Sequence, residues 1–381
     1  MQMDKAHTSP GRSPMALGAA AAALLTAGLA VCTPVRAADP ASPAQIIAAA
    51  GKTTDTSFCG KKPIVLGIDD GVGTNGWSHA SMAAVRSEAA KCPNVKQVVQ
   101  IGEGDLQKTI SDVNGMVAQG IDALVLIPDF GKAELPAIRN ATRAGVKVVA
   151  WGADPGGKPG RDYVAYVDWD VRATGIVLAQ WMVKALHGEG NVVFLGGPAG
   201  NPVSAATLQG IVEVLSTHPK MHLLTGTRNW AVTDWDSAVT QKTMTALLGK
   251  YPSIKGIIDD SGGFDALGVL RTYQTADRPL VPLAVLSNNQ LACDYAKLKP
   301  KNPGFELGTI SARNWVGRIA ARKAIAAAEG QPNDEPDIYR VPLFEDTLGG
   351  TPPRCDPAQQ PDMDLSVQLT PQELSTYGKS E

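Results

Sequence analysis

Three observations predict an α/β fold of two doubly wound parallel-sheet lobes. From Lys61 onward, short apolar runs alternate with stretches of helical period, the pattern of parallel sheets wrapped by helices. The connections are short and punctuated by turn residues, with 39 Gly and 27 Pro in 381 residues. The apolar runs outnumber what one compact sheet needs, and the length exceeds the ~100–200 residues of a single domain.

KPIVLGID is the first strand. Met82, Val85 and Ala89 then recur at helical spacing until Lys91-Cys92-Pro93, where the proline enforces a stop. VKQVVQIG is the second strand. In DLQKTISDVNGMVAQG the residues Leu106, Ile110, Val113 and Val117 mark one helix face and Gly120 supplies the stop. IDALVLIPD is apolar throughout, as a strand covered on both faces must be. Helix LPAIRNATRAG and strand VKVVAWG repeat the cycle up to a glycine-rich break at Asp154–Gly160. Beyond it the same reading gives strand YVAYV, helix VRATGIVLAQWMVKAL, strand NVVFLGG, helix TLQGIVEVLSTH, strand HLLTGTR, helix SAVTQKTMTALLGK and strand IKGIIDD. Helix DALGVLRTY, strands PLAVLS and FELGTIS and helix VGRIAARKAIAAAEG complete the order. VAQGIDALVLIPD and LGKYPSIKGIIDD echo each other, each ending an apolar strand on a carboxylate. The tail from Thr347 has no periodicity and is expected to lie over the surface, pinned by Cys355.

Lys5 and Arg12, the apolar run Met15–Cys32 and Val35-Arg36-Ala37 have the order of an export signal. Removal of residues 1–37 and a periplasmic location are expected. Val31 before Cys32 disfavours a lipoprotein signal, and the absence of a twin-arginine pair predicts export unfolded, without a pre-loaded cofactor. Cleavage takes away Lys5, Arg12, Arg36 and Asp4, a net +2, so the charge of -2 becomes -4. Such a balance offers no footprint for nucleic acid or an acidic membrane surface. Cys59, Cys92, Cys293 and Cys355 remain, an even number suited to an oxidising compartment. Three pairings are possible. Cys59 just before the first strand is expected to bond Cys92 at the end of the first helix, and Cys293 to bond Cys355. Without a CxxC spacing, zinc has no support, and no metal or other cofactor is expected.

In open parallel sheets ligands sit outside the carboxyl ends of the strands. Those ends carry Asp69-Asp70 with Asn75 and Trp77, Pro128-Asp129, Trp151-Gly152-Ala153-Asp154, Asn229-Trp230, and Asp234-Trp235-Asp236. Asp259-Asp260-Ser261, Ser287-Asn288-Asn289 and Arg313-Asn314-Trp315 follow. Carboxylates and amides can engage neighbouring hydroxyls, and an indole can carry the CH face of a sugar ring. The candidate ligand residues are Asn75, Trp77, Asp129, Asp154, Trp235, Asp260, Asn288 and Arg313. Each Asp or Asn has a rival role as a helix cap or turn residue, with Asp69 and Asp236 the foremost such cases. Trp169, Trp181 and Tyr273 read as core. Gly71-Val72-Gly73-Thr74-Asn75-Gly76 matches the dinucleotide fingerprint G-x-G-x-x-G, but the indole of Trp77 directly after it would crowd a pyrophosphate. No GxSxG, HExxH or Walker loop occurs. His218 and His222 are separated by Pro219, so a helical metal pair is not expected. An acid pair such as Asp129 and Asp260 leaves a glycosidase open.

Together the TNGW loop, VAQGIDALVLIPD, AGVKVVAW, GGPAGNPVSAATLQGI, TDWD, DDSGGFDALGVLRTY and VLSNN resemble the type I periplasmic sugar-binding proteins of ABC importers, similar to ribose-, galactose- and autoinducer-2-binding proteins. The resemblance covers Lys61 to Thr347. By position it implies ligand contacts at Asn75, Trp77, Asp129, Trp235, Asp260 or Ser261, and Asn288 or Asn289. Ribose binders carry an Asp-Arg pair where this chain has Gly152-Ala153-Asp154, and Thr207 stands where their second-lobe arginine would be, which disfavours ribose. The family also implies a three-strand hinge, with crossings near Val167, Ala312 and Phe344. Lobes of 60–166 plus 313–343 and 167–312 plus 344–368 follow from it, between an arm at 38–59 and a tail at 369–381. A non-enzymatic monomer is implied, closing on a sugar or polyol and delivering it to a membrane permease. The alternatives are an exported glycosidase-like or nucleotide-dependent enzyme, and a sensor for a chemoreceptor or kinase.

Overall fold

A computed structural model describes residues 54–378 apart from 362, 367 and 368. The expected export signal and most of the arm lie outside the described residues.

The first sheet has the order β12-β5-β4-β3-β1-β2. Its strands are β1 (Ile64–Asp70), β2 (Val95–Ile101), β3 (Ala123–Ile127), β4 (Lys147–Trp151), β5 (Ala165–Trp169) and the late addition β12 (Ile338–Tyr339), all parallel. β3 is buried along its whole length, the outcome its unbroken apolar run demands. α1 (Gly76–Ala89), α2 (Leu106–Ala118) and α3 (Leu135–Arg143) make the crossovers. Val113 and Ile138, from α2 and α3, meet Leu124 and Val148 in one cluster. Val85 of α1 joins the cluster on the opposite face.

The second sheet has the order β13-β11-β10-β9-β6-β7, with β8 also on β6. It comprises β6 (Gly190–Gly196), β7 (Met221–Leu223), β8 (Ala231–Val232), β9 (Ile254–Asp259), β10 (Leu283–Leu286), β11 (Leu307–Ile310) and the antiparallel β13 (Glu345–Asp346). The helices α4 (Val171–Ala185), α5 (Pro202–Ser216), α6 (Ser237–Lys250), α7 (Gly263–Thr275) and α8 (Asn289–Leu298) surround it.

Between the sheets the chain passes three times. The first passage lies between Trp169 and Val171, two residues past Val167. The second runs from Ile310 to α9 (Val316–Glu329), which packs on α1 and β4, and the third from Tyr339 to Glu345. α9 ends on Gly330 in the left-handed region. It is fixed to the first lobe by Arg322, whose Nη1 lies 3.0 Å from Glu88 and whose Nη2 lies 2.6 Å from Glu335.

Several elements differ from the sequence reading for local reasons. β5 starts two residues late because Tyr163 closes a turn with Pro159. α5 begins at Pro202 because Asn201 caps it, accepting from the Val203 and Ser204 amides. α8 has no counterpart in the sequence reading and is capped in the same way by Asn288. The tail is pinned by Cys355 as expected, but part of it is buried instead of lying over the surface. Leu369 and Leu374 are buried, and α10 (Pro371–Tyr377) packs on α1.

Both disulfides pair as expected, Cys59 with Cys92 and Cys293 with Cys355. The first closes a sequence separation of 33 residues, for which loop entropy gives about 3–4 kcal/mol. Replacing Cys59 and Cys92 together by serine is expected to lower the urea midpoint by that order of stability. An unchanged midpoint would mean the bridge does not constrain the unfolded chain.

Candidate functional site

The carboxyl ends of both sheets face a cavity at the passages between the lobes. It is lined from the first lobe by Asn75, Trp77, Asp129 and Gly152, from the second by residues including Trp235, Asp260, Asp265 and Asn288, and from the passage by Ala312, Arg313 and Asn314. Its enclosed volume is about 60 Å³, where one water needs roughly 10–15 Å³. The space suits one small guest and no oligomer.

The first-lobe wall is built by the loop after β1. Asp70 Oδ1 accepts from the Val72 and Gly73 amides at 3.0 and 2.7 Å, and Asp129 Oδ2 accepts from Val72 at 3.1 Å. Gly73 has φ 68°, and a Cβ there would lie 2.1 Å from Ile101, so the turn requires glycine. With Val72 and Gly73 amides already serving carboxylates, this glycine loop cannot cradle a pyrophosphate, despite its literal match to the fingerprint. Asn75 Oδ1 caps α1 through the Ser78 amide at 2.9 Å. Trp77 Nε1 donates to the Ala312 carbonyl at 2.6 Å, and the ring lies 5.9 Å from that of Trp151.

In the second lobe, Asp234 and Trp235 both take positive φ (53° each) before Asp236 caps α6 as expected. That kink turns the indole inward, where Nε1 donates to Asp260 Oδ1 at 2.9 Å. Gly197 makes room for it, since a Cβ there would be 2.4 Å from the ring.

Arg313 occupies the passage. Its φ is 61°, an uncommon conformation for a non-glycine residue. The guanidinium lies 5.5 Å from the Trp77 ring centre and 5.2 Å from that of Trp169, with Nη1 3.8 Å from Asp168 Oδ2. Arg313 Nε and Nη1, Asp260 Oδ2, Asp265 Oδ2 and Asn314 Oδ1 are buried without a hydrogen-bond partner, an arrangement that a polar guest would relieve. Asn314 is itself anchored, Nδ2 donating to the Trp77 carbonyl and Ser81 Oγ. Across the cleft, Asn201 Nδ2 donates to the Asp129 carbonyl at 3.1 Å, so the lobes touch.

Of the eight candidate residues, seven line this cavity: Asn75, Trp77, Asp129, Trp235, Asp260, Asn288 and Arg313. Asp154 does not. Its Oδ1 accepts from the Gly156 amide at 2.7 Å in an exposed turn, and Gly152 takes the place at the cavity wall. Asp69 is not the turn residue either; Asp70 is, and Asp69 is buried with both oxygens unpartnered. Ser261, Ser287 and Asn314 were visible in strand-end words; Asp265, in the first turn of α7, stood inside DDSGGFDALGVLRTY without being singled out, and Asp364, in the aperiodic tail, carried no such signal.

Loss of water dominates the acids around the cavity. Burial, reinforced by Asp260, pushes Asp259 up to about 8, and burial alone outweighs the hydrogen bonds that hold Asp260 at about 6. Burial raises Glu134 to about 8, and burial with the charges of Asp70 and Glu134 holds Asp129 well above the usual carboxylate range. These groups bind protons more tightly folded than unfolded. The stability they contribute is therefore complete below the unfolded values near 4 and is lost as pH rises through about 8. The unliganded protein is expected to melt at a lower temperature at about pH 8.5 than at about pH 6. Equal melting temperatures in differential scanning calorimetry would refute this account.

Among known proteins, the xylitol-binding protein of Mycolicibacterium smegmatis is 28% identical over 295 residues, 75% of this chain and 79% of its own length. The galactofuranose-binding protein YtfQ of Escherichia coli is 25% identical over 180 residues, 47% of this chain and 56% of its own. In fold, an ABC transporter solute-binding protein from Agrobacterium vitis with bound allitol superposes with a TM-score of 0.64 at 20% identity, covering 74% of this chain and 95% of that one. The model of the periplasmic binding protein domain matches residues 71–332, and the chain belongs to that family.

Proposed function

We propose that the protein captures a sugar or sugar-like polyol between its lobes and delivers it to the membrane permease of an ABC importer. The observation that carries this reading is the cavity's mixture of flat indoles with unpartnered donors and acceptors of both signs. Arg313 donates; Asp260, Asp265 and the Asn314 carbonyl accept. A guest rich in hydroxyls satisfies both kinds, because each hydroxyl donates once and accepts as well. Trp77 and Trp235 offer faces for its CH groups. A phosphorylated guest would set its charge among the acids Asp129, Asp260 and Asp265 with Arg313 the single cation of the lining, and an apolar one would leave the polar atoms unserved. The xylitol and galactofuranose specificities carried in relatives' names agree in chemical class.

Groups from both lobes and from the passage surround one space. A guest bridging them stabilises the closed arrangement over an open one, and it can shift that equilibrium only by its preference for the closed state. Capture and release need no bond to change, so the guest leaves as it entered.

A thermal-shift screen of sugars, polyols and NAD(P) on the mature protein tests this. Stabilisation by a sugar or polyol is expected, of about 2.7 kcal/mol at a hundredfold excess over Kd, with the compound recovered unchanged. Stabilisation by NAD(P) alone, or the appearance of product, would overturn the proposal. Trp235→Ala removes an indole face and the partner of Asp260 Oδ1, and a loss of affinity of roughly ten- to a hundredfold is expected. Undiminished binding by that variant would remove Trp235 from the site.

A further inference from the structure

The described residues between 355 and 377 lead from one lobe to the other outside the span of the matched family domain, which ends at 332. The segment begins anchored to the second lobe by the Cys293–Cys355 disulfide. Asn289 then holds it through its side chain: Oδ1 accepts from the Asp356 amide at 2.9 Å, and Nδ2 donates to the carbonyls of Asp356, Gln359 and Gln360 at 2.8, 3.3 and 3.2 Å. The backbone amides of Asn289 and Gln290 add bonds to Met363 and Pro361. At its far end, Leu369 and Leu374 are buried and Arg86 Nη1 of α1 donates to the Tyr377 carbonyl at 3.3 Å. A capping box of Thr370 and Glu373 fixes where α10 begins.

Between these anchorages Asp364, 2% exposed, lines the ligand cavity. A chain of hydrogen bonds positions it. The Arg313 amide and Trp315 Nε1 both donate to Ser311 Oγ, at 3.2 and 3.0 Å. Ser311 Oγ lies 2.6 Å from Ser366 Oγ, and Ser366 Oγ donates to Asp364 Oδ2 at 2.7 Å. The direction of the chain is fixed, because neither the amide nor the indole can accept. The Ser366 proton is committed to the carboxylate, so the Ser311 proton goes to Ser366. The Ser366 amide donates to Asp364 Oδ1 at 2.9 Å. Each Asp364 oxygen has one partner within its own strap, the Ala312 amide of the passage also donates to the carboxylate, and lone-pair capacity is still left over.

We propose that this strap is a fourth connection between the lobes and that Asp364 on it is a ligand-contacting residue, accepting from a guest hydroxyl and setting which polyol or sugar the cavity prefers. The inference rests on the capture function above. Because Asp364 is wired through Ser366 and Ser311 to the backbone of Arg313, it moves with the passage and meets the guest in the closed arrangement. Ser366 acts through Asp364 and is a positioning residue.

The test uses isothermal titration of the full mature chain with xylitol, allitol, D-xylose, L-arabinose and D-galactose, together with unfolding of the unliganded protein. For Asp364→Asn, which keeps size and loses an acceptor, the favoured ligand is expected to weaken on the order of tenfold or more, with its ratio to the other ligands changed. Ser366→Ala is expected to weaken it by a smaller factor in the same pattern. A purely structural role would lower the unfolding midpoint and leave ligand ratios as in the wild type. If Asp364→Asn retains wild-type affinities and ratios, the proposal fails while capture stands. If it fails to fold, Asp364→Glu serves in its place, with the same ratios deciding. Absence of binding to every ligand by the wild type sinks the capture function and this inference with it.

Discussion

The site depends on holding one guanidinium away from water. Arg313 stands where the chain leaves β11 for α9, between the rings of Trp77 and Trp169 and beside the buried Asp168. A charge in that position is tolerable only because aromatic faces and a carboxylate replace its hydration. Asp168 is held in turn by the Tyr166 hydroxyl at 2.7 Å and the Trp169 amide at 2.8 Å. The passage, the first-lobe indole and the last strand pair of the first sheet are thus set by one cluster. With Trp77 also bonded to the Ala312 carbonyl, the aromatic wall and the crossing backbone are a single piece.

Around that cluster the cavity is acidic, and its acids are kept dry. A carboxylate removed from water has its pKa raised, and at Asp129 and Asp260 the charge of Arg313 offsets that rise only in part, while Asp259 has no such help. Unserved buried acceptors are costly in an empty site. The same cost makes a hydroxyl-bearing guest selective over one lacking the hydroxyl, since leaving such an acceptor unpaired is penalised more than pairing it is rewarded. Preference here comes from what the walls lack.

The lobes and most of the wall were legible in the residues because both follow periodic rules. β3 betrayed itself by an unbroken apolar run, and strand ends pointed to Asp129, Asp260 and Asn288 because ligands gather there in parallel sheets. Failures came where the rule has a phase or no phase at all. Asp69 and Asp70 differ by one residue, and the alternation of a strand sends them to opposite faces, so the turn role fell to the second. Asp154 lies two residues beyond Gly152, which already holds the place at the wall. Asp364 follows no repeat; only a three-dimensional path across the passage brings it to the cavity. Asn201 and Asn288 stood in plain view, yet their capping became evident only with the helix starts.

The placement of the crosslinks has its own consequence. Cys59–Cys92 joins two points of the first lobe and Cys293–Cys355 two points of the second. Neither bond spans the cleft, so oxidation hardens each jaw separately and leaves the bite between them unlocked.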